Sequence, residues 1–165
     1  GGRVIAIKAD VGEESEVVRL FKVVDEWRGS APLTVLVNSA GILGSKHPLE
    51  KVSASELIDV MRVNVVGPMI CVREAERRMS KSSAGSGGSI VQISSGSAYL
   101  GKPLYYASSK GALNSLTIGL VQPLAEQGIR LNTVSPGMTD TNLISDTLPS
   151  FDMRQIPLGR VGTPE

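Results

Sequence analysis

The chain has 165 residues, 41% of them hydrophobic and only 4% aromatic, so it is long enough for one domain whose core is built from Val, Ile, Leu and Ala, and short for two. Lys plus Arg number 17 and Asp plus Glu 16, and the resulting charge of +1 excludes a strongly basic nucleic-acid surface and an acidic solvating tail. No apolar run reaches the ~18 residues of a membrane helix, the first residues do not read as a secretory signal, and the lone Cys71 cannot form an internal disulfide, in keeping with a reducing, cytoplasmic location.

In chain order, residues 4–7 are short and β-branched and predict a strand. The stretch Glu14–Arg28 follows with Val17, Leu20, Phe21, Val24 and Trp27 at helical spacing. Residues 33–37 form a second apolar run that ends in Asn38-Ser39-Ala40-Gly41. Ser53-Ala54-Ser55-Glu56 has the pattern of a capping box and opens a helix through residue 80, with Leu57, Val60, Met61, Asn64 and Cys71 along one stripe. Residues 80–89 are Ser/Gly-rich and read as a loop. Strands are predicted over 89–93 and 129–134, and a helix over 106–127 with Gly128 as its C-terminal cap. Alternating apolar strands and amphipathic helices imply one α/β domain over residues 1–165. Its sheet should be parallel, with right-handed crossovers and helices on both faces. Ligands of such sheets sit beyond the carboxyl ends of the strands. The residues to inspect there are Asp10 and Val11, residues 38–41, Ser94 and Ser95, and residues 136–141.

Three groups at these ends carry chemistry. Tyr106 and Lys110 are four apart at the start of a helix and share a face. An ammonium beside a phenol favours the phenolate and lowers a pKa that is otherwise near ~10, which suits proton exchange at a carbonyl or alcohol oxygen. Tyr105 has Ser109 at the equivalent spacing and lacks such a partner. Ser95 ends a strand and precedes Tyr106, so its hydroxyl is placed to orient the same oxygen; Ser94 is the alternative. Asn64 is a polar residue on an apolar stripe, where it needs a partner. Pro68, four residues on, offers no N–H to its carbonyl, so the helix should kink there. Pro123 is expected to kink the last helix for structural reasons alone.

Rival chemistries lack their residues. Gly96 to Lys102 has the look of a phosphate-binding loop, but Pro103 stands where a magnesium-holding hydroxyl belongs. No Gly-x-Ser-x-Gly elbow occurs. His47, the only histidine, falls in a Gly/Lys/Pro loop and reads as solvated, and no ligand cluster for a metal is present. Cys71 reads as core.

Asn38-Ser39-Ala40-Gly41, Asn64, Ser94-Ser95, Tyr106-Ala107-Ser108-Ser109-Lys110 and Pro136-Gly137-Met138-Thr139-Asp140-Thr141 occur in that order. Together they resemble the short-chain dehydrogenase/reductase family, along essentially the whole chain. The resemblance implies a Rossmann-type doubly wound parallel sheet, incomplete at both ends. It implies an NAD- or NADP-dependent oxidoreductase that moves hydride between nicotinamide and a small carbonyl or alcohol substrate, assembled as a homodimer or homotetramer through the helices of residues 53–80 and 106–127. It assigns Tyr106 the acid/base, Ser95 the substrate oxygen, Lys110 the tuning of Tyr106 and the nicotinamide ribose, and Asn64 a proton-relay water. Asn38, Ala40 and Gly41 are to pack along the cofactor, Asp10 and Val11 to contact adenine, and Pro136, Gly137, Thr139 and Thr141 to grip the nicotinamide end. Ser39 departs from the family's usual second Asn. No Thr-Gly-x-x-x-Gly-x-Gly turn for the pyrophosphate occurs, and Gly1-Gly2 reads as the lead into the family's third strand. A βαβ unit is then expected to precede these residues and a last strand to follow them, in a longer chain. Residues 142–157, with Leu143, Ile144, Leu148, Phe151 and Met153, are expected to form a substrate lid. The competing reading is a non-catalytic piece of the same fold that acts by association.

Overall fold

The structure, a computed structural model, describes residues 2–45, 47–145 and 152–164. Helix α1 spans Glu14–Arg28, strand β1 Val35–Asn38 and helix α2 Ala54–Met61. A π-helical turn, Arg62–Val66, joins α2 directly to α3, Gly67–Met79. Strand β2 is Gly88–Ile93, and a short helix α4, Ser97–Leu100, precedes the long helix α5, Leu104–Glu126. Strand β3 is Ile129–Val134.

The three strands form one parallel sheet in the order β1-β2-β3, with Asn38 opposite Gln92 and Ile93 opposite Val134. The α/β class and parallel sheet are those the sequence predicts. Because strand order runs in one direction, right-handed crossovers carry every connecting helix to the same face. Leu36, Ile90, Ile129 and Leu131 point into that face, where they meet Val17 and Phe21 of α1, Cys71, Val72, Ala75 and Met79 of α3 and Leu124 of α5. The opposite face holds Val35, Val37 and Val134, each about half exposed. The described helices therefore cover one face of the sheet, whereas the sequence pattern suggested both.

Residues 4–7, expected as a strand, are not one. A strand is defined by its ladder, and no described segment bonds to this one; Val4 is 88% exposed. The segment is instead tied to α1, where Arg19 donates to the Lys8 carbonyl and the Arg3 guanidinium lies 5.3 Å from the centre of the Trp27 ring. The capping box at Ser53 is complete: Glu56 N–H donates to Ser53 Oγ at 3.2 Å, and Ser53 N–H to Glu56 Oε2 at 2.9 Å. The irregularity expected at Asn64 is the π turn, where the Gly67 N–H reaches back five residues to the Arg62 carbonyl. Around Pro123, α5 continues unbroken.

An ionic cluster locks α3 to α1. The Glu74 carboxylate, 4% exposed, accepts from Arg73, Arg77 and Arg78, and Arg78 also reaches Asp25 at 2.7 Å. Burial works against the charged form of Glu74, but the guanidiniums of Arg78 and Arg73 prevail and hold its carboxyl below the usual range.

Candidate active site

All three strands end on one edge, so residues 38–45, 94–96 and 135–141 emerge side by side there. Helix α5 starts beside them behind Pro103 and presents Tyr106, Ser109 and Lys110 inward, each less than a tenth exposed.

Ser95 lies near enough to the Tyr106 hydroxyl to oppose the effect of burial on the phenol, and its Oγ accepts the Ser97 N–H at 3.1 Å. Ser94 is turned away: its Oγ donates to the Lys110 carbonyl at 3.2 Å and is 2% exposed. Neighbouring residues of a strand point to opposite sides, so one of the two serines meets the phenol and the other the helix backbone. Tyr105 is buried as well, but its hydroxyl donates to the His47 carbonyl at 3.1 Å.

Lys110 Nζ donates to the Ile93 carbonyl at 2.7 Å and lies 5.6 Å from the centre of the Tyr106 ring. The sequence predicted that this ammonium would lower the phenol pKa. The structure gives the opposite net direction: burial pushes the Tyr106 phenol above its ordinary range, with Ser95 opposing, and burial pulls the Lys110 ammonium below its own. The ammonium sits over the ring face and spends one donor on Ile93, so desolvation outweighs attraction.

Asn64 is fully buried in the π turn. Its Oδ1 accepts the Ile42 N–H at 2.8 Å, and its Nδ2 donates to the Ile42 carbonyl at 2.8 Å and to Ser109 Oγ at 2.9 Å. The partner its apolar surroundings required is thus the loop after β1. Asn38 Nδ2 donates to Gln92 Oε1 at 3.0 Å and to the Pro68 carbonyl at 3.3 Å, stitching β1 to β2 and to the start of α3. Gly41 leaves a gap between these groups. A Cβ there would lie 3.3 Å from Asn64 Oδ1 and 3.4 Å from Lys110 Nζ, so only a bare backbone leaves the space open. Ala40, next to it, is exposed.

Asp10 and Val11 lie farther along the same side. The Asp10 carboxylate accepts the Gly12 N–H at 2.8 Å and pairs with Arg62 at 3.3 Å, while the Val11 carbonyl rests against Gly67. Pro136 accepts the Gly96 N–H at 2.9 Å, which draws its loop toward Ser95. Thr139 forms a parallel bridge to Gly162, and Gly137 and Thr141 are exposed. Of the expected lid, Leu148 and Phe151 lie outside the described residues; Met153–Gln155 is a 3-10 turn capped by Asp152. Sequence reasoning gave no role to Ser109, Gln92 or Arg62, although Ser109 stands inside the Tyr-Lys motif.

Residues 1–150 match the family described as short chain dehydrogenase. The chain is 42% identical over 146 residues to an uncharacterized oxidoreductase, YgfF, of Escherichia coli, and this covers 87% of the chain and 58% of that protein. It is 36% identical over 172 residues to a short-chain type dehydrogenase/reductase of Picea abies, of which it covers 62%. Among solved structures, a dehydrogenase/reductase from Sinorhizobium meliloti superposes with a TM-score of 0.86 at 35% identity, over 99% of this chain and 64% of that one. A tyrosine-to-phenylalanine variant of ElxO with NADPH bound gives 0.81 at 30% identity, over 95% and 64%. The chain spans about three fifths of the length of these curated relatives. With the family match running through Asn64, Ser95, Tyr106 and Lys110, the chain belongs to the short-chain dehydrogenase/reductase family.

Proposed function

We propose that these residues form the proton-transfer half of an NAD(P)-dependent oxidoreductase acting on a carbonyl or alcohol, and that Tyr106 is its acid/base. The observation that carries this reading is the buried Tyr106, with Ser95 near its hydroxyl and Lys110 Nζ 5.6 Å from the centre of its ring, at the carboxyl edge of a parallel sheet. The NADPH bound in one structural neighbour and the oxidoreductase names of the relatives support it. When bound, NAD(P) supplies or accepts hydride at C4 of its nicotinamide.

The residues on the sheet edge fit such a group. Gly41 keeps a side-chain-free gap against Asn64 and Lys110, and Lys110 has two donors left after Ile93 for ribose hydroxyls. In this reading Asn38, Ala40, Pro136, Gly137, Thr139 and Thr141 pack along the cofactor, and Asp10 and Val11 take its adenine end. Within the site, Ser95 orients the substrate oxygen, and Tyr106 gives that oxygen its proton or takes it away. Lys110 holds positive charge beside the phenol, and Asn64 holds the relay water through its backbone carbonyl. The proton that Tyr106 gives in carbonyl reduction is the one it takes back in alcohol oxidation.

Assembly is part of the same reading. Ile58, Val66 and Met69 on α2, the π turn and α3, and Ile118 and Val121 on α5, are 42–79% exposed and would be covered in a homodimer or homotetramer; light scattering reads the state. A cytoplasmic location rests on the single buried Cys71, whose thiol burial and then Glu74 push up to about 11. The central test is turnover of reduced nicotinamides with a panel of aldehydes and ketones by the full-length protein carrying these residues. Tyr106→Phe is expected to lower kcat ~10²–10⁴-fold. Near-normal turnover in that variant would overturn the mechanism, and absence of dinucleotide binding would favour the non-catalytic reading.

A further inference from the structure

We propose that Ser109, which touches neither substrate nor cofactor, is a positioning residue that sets the alignment of Tyr106 by tying the first turns of α5 to the π turn of Asn64. The inference rests on the oxidoreductase reading of the Tyr106 site.

The argument is one of donors and acceptors. Asn64 Oδ1 is committed to accepting the Ile42 N–H, so its Nδ2 must donate. Its donors go to the Ile42 carbonyl and to Ser109 Oγ. Having accepted from Asn64, the Ser109 hydroxyl turns its own hydrogen to the Tyr106 carbonyl at 2.7 Å. The chain Ile42–Asn64–Ser109–Tyr106 is directional and fully buried at Asn64 and Ser109, where each bond polarises the next. Ser108 and Thr117 on the same helix also return hydrogen bonds to its backbone, but each reaches the carbonyl four residues back, and Thr117 accepts from Thr133 of β3, away from the carboxyl-edge loops. Ser109 reaches three residues back, to the carbonyl of the acid itself, and accepts from another element. Without its hydroxyl, Asn64 Nδ2 loses an acceptor and the Tyr106 turn loses its tie to the π turn. The phenol then moves off Ser95. The groups facing the phenol are Ser95 from the loop after β2 and Lys110 from its own helix.

The test compares wild type, Ser109→Ala and Tyr106→Phe in the full-length protein. One readout is kcat and KM for a carbonyl substrate. The other is the titration of each tyrosine, followed by NMR of tyrosine labelled at Cζ, which needs no turnover. Ser109→Ala is expected to lower kcat about 10–100-fold with KM within about twofold. It is expected to move the Tyr106 titration up, as the phenol draws away from Ser95 while staying buried. Ser109→Cys, close to serine in volume and a weak hydrogen-bonding group, makes the same comparison if the alanine variant fails to fold. A shifted Tyr106 titration with no turnover in any form would uphold the positioning role and overturn the oxidoreductase reading. Turnover lost in Tyr106→Phe but unchanged in Ser109→Ala, with an unmoved titration, would overturn the positioning role alone.

Discussion

Replacing Asn64 by alanine tests the joint on which the site depends. The side chain makes three hydrogen bonds of 2.8, 2.8 and 2.9 Å while fully buried, two of them to the backbone of Ile42 and one to Ser109. A hydrogen bond of this kind contributes about 1 kcal/mol net, so three give about 3 kcal/mol, a large share of the ~5–15 kcal/mol that holds a domain together. The alanine side chain leaves the Ile42 N–H and carbonyl without these partners, and Ser109 Oγ without its donor. Asn64→Asp separates the contributions: the carboxylate still accepts from the Ile42 N–H but has no hydrogen to give to the Ile42 carbonyl or to Ser109, and it buries a charge. It is therefore expected to be at least as destabilising as alanine at neutral pH. Urea unfolding measures the loss, and amide exchange at Ile42 localises it, because that N–H is protected by Asn64 alone in the bond described. A loss below about 1 kcal/mol, with Ile42 exchanging at the wild-type rate, would refute the assignment of this side chain as the clamp of the loop after β1.

Two further outcomes follow from packing and charge. A Cβ at Gly67 would lie 2.6 Å from the Val11 carbonyl oxygen, a backbone atom, so Gly67→Ala must shift α3 or the Asp10–Val11 corner; a cost of about 1–3 kcal/mol and weaker dinucleotide binding are expected. By contrast Gly111, helical and with nothing within 4 Å of its Cβ, should accept alanine with a gain of up to about 1 kcal/mol, and thermal unfolding of the two variants compares them. Acid should loosen the α1–α3 joint. The Arg78 hydrogen bond first, and then Arg28, hold Asp25 below its ordinary pKa, and Glu74 is held low by Arg78 and Arg73 against its burial. Their contribution is complete above the ordinary carboxylate range and is lost as pH falls through the lowered folded values. Urea midpoints across that window should fall for wild type and flatten in Glu74→Gln, and parallel curves would contradict the role of the cluster.

What the sequence made legible was local. The capping box of α2 needs only residues 53–56, and both of its bonds are present. The break at Asn64 needs only a proline four residues on, although its form, a π turn rather than a bend, was not readable. What escaped is non-local. Residues 4–7 have the composition of a strand, but a strand exists only with a partner, and composition says nothing about the partner. Ser94 and Ser95 could not be told apart because the strand's side assignment depends on the register of β2 against its neighbours. The direction of the Tyr106 pKa was misjudged for a related reason. A lysine four residues away is visible in the sequence, whereas the burial that outweighs it is produced by α5 packing onto the sheet and the π turn.

That packing also explains why the phenol needs so many anchors. Burial of the phenol removes the water that would otherwise fix its orientation. The site compensates with contacts from three directions. Ser95 stands near the hydroxyl, Ser94 Oγ and Lys110 Nζ bond the helix to the end of β2, and Asn64 bonds it through Ser109 to the loop after β1. Each anchor comes from a segment at the carboxyl edge of the sheet or from the irregular turn beside it. The π turn has a purpose in this scheme. By bonding five residues back instead of four, it turns Asn64 out of the regular helical ladder and toward both Ile42 and Ser109, a pair of partners on different elements that an unbroken α-helix from residue 54 to 79 would not present to a single side chain.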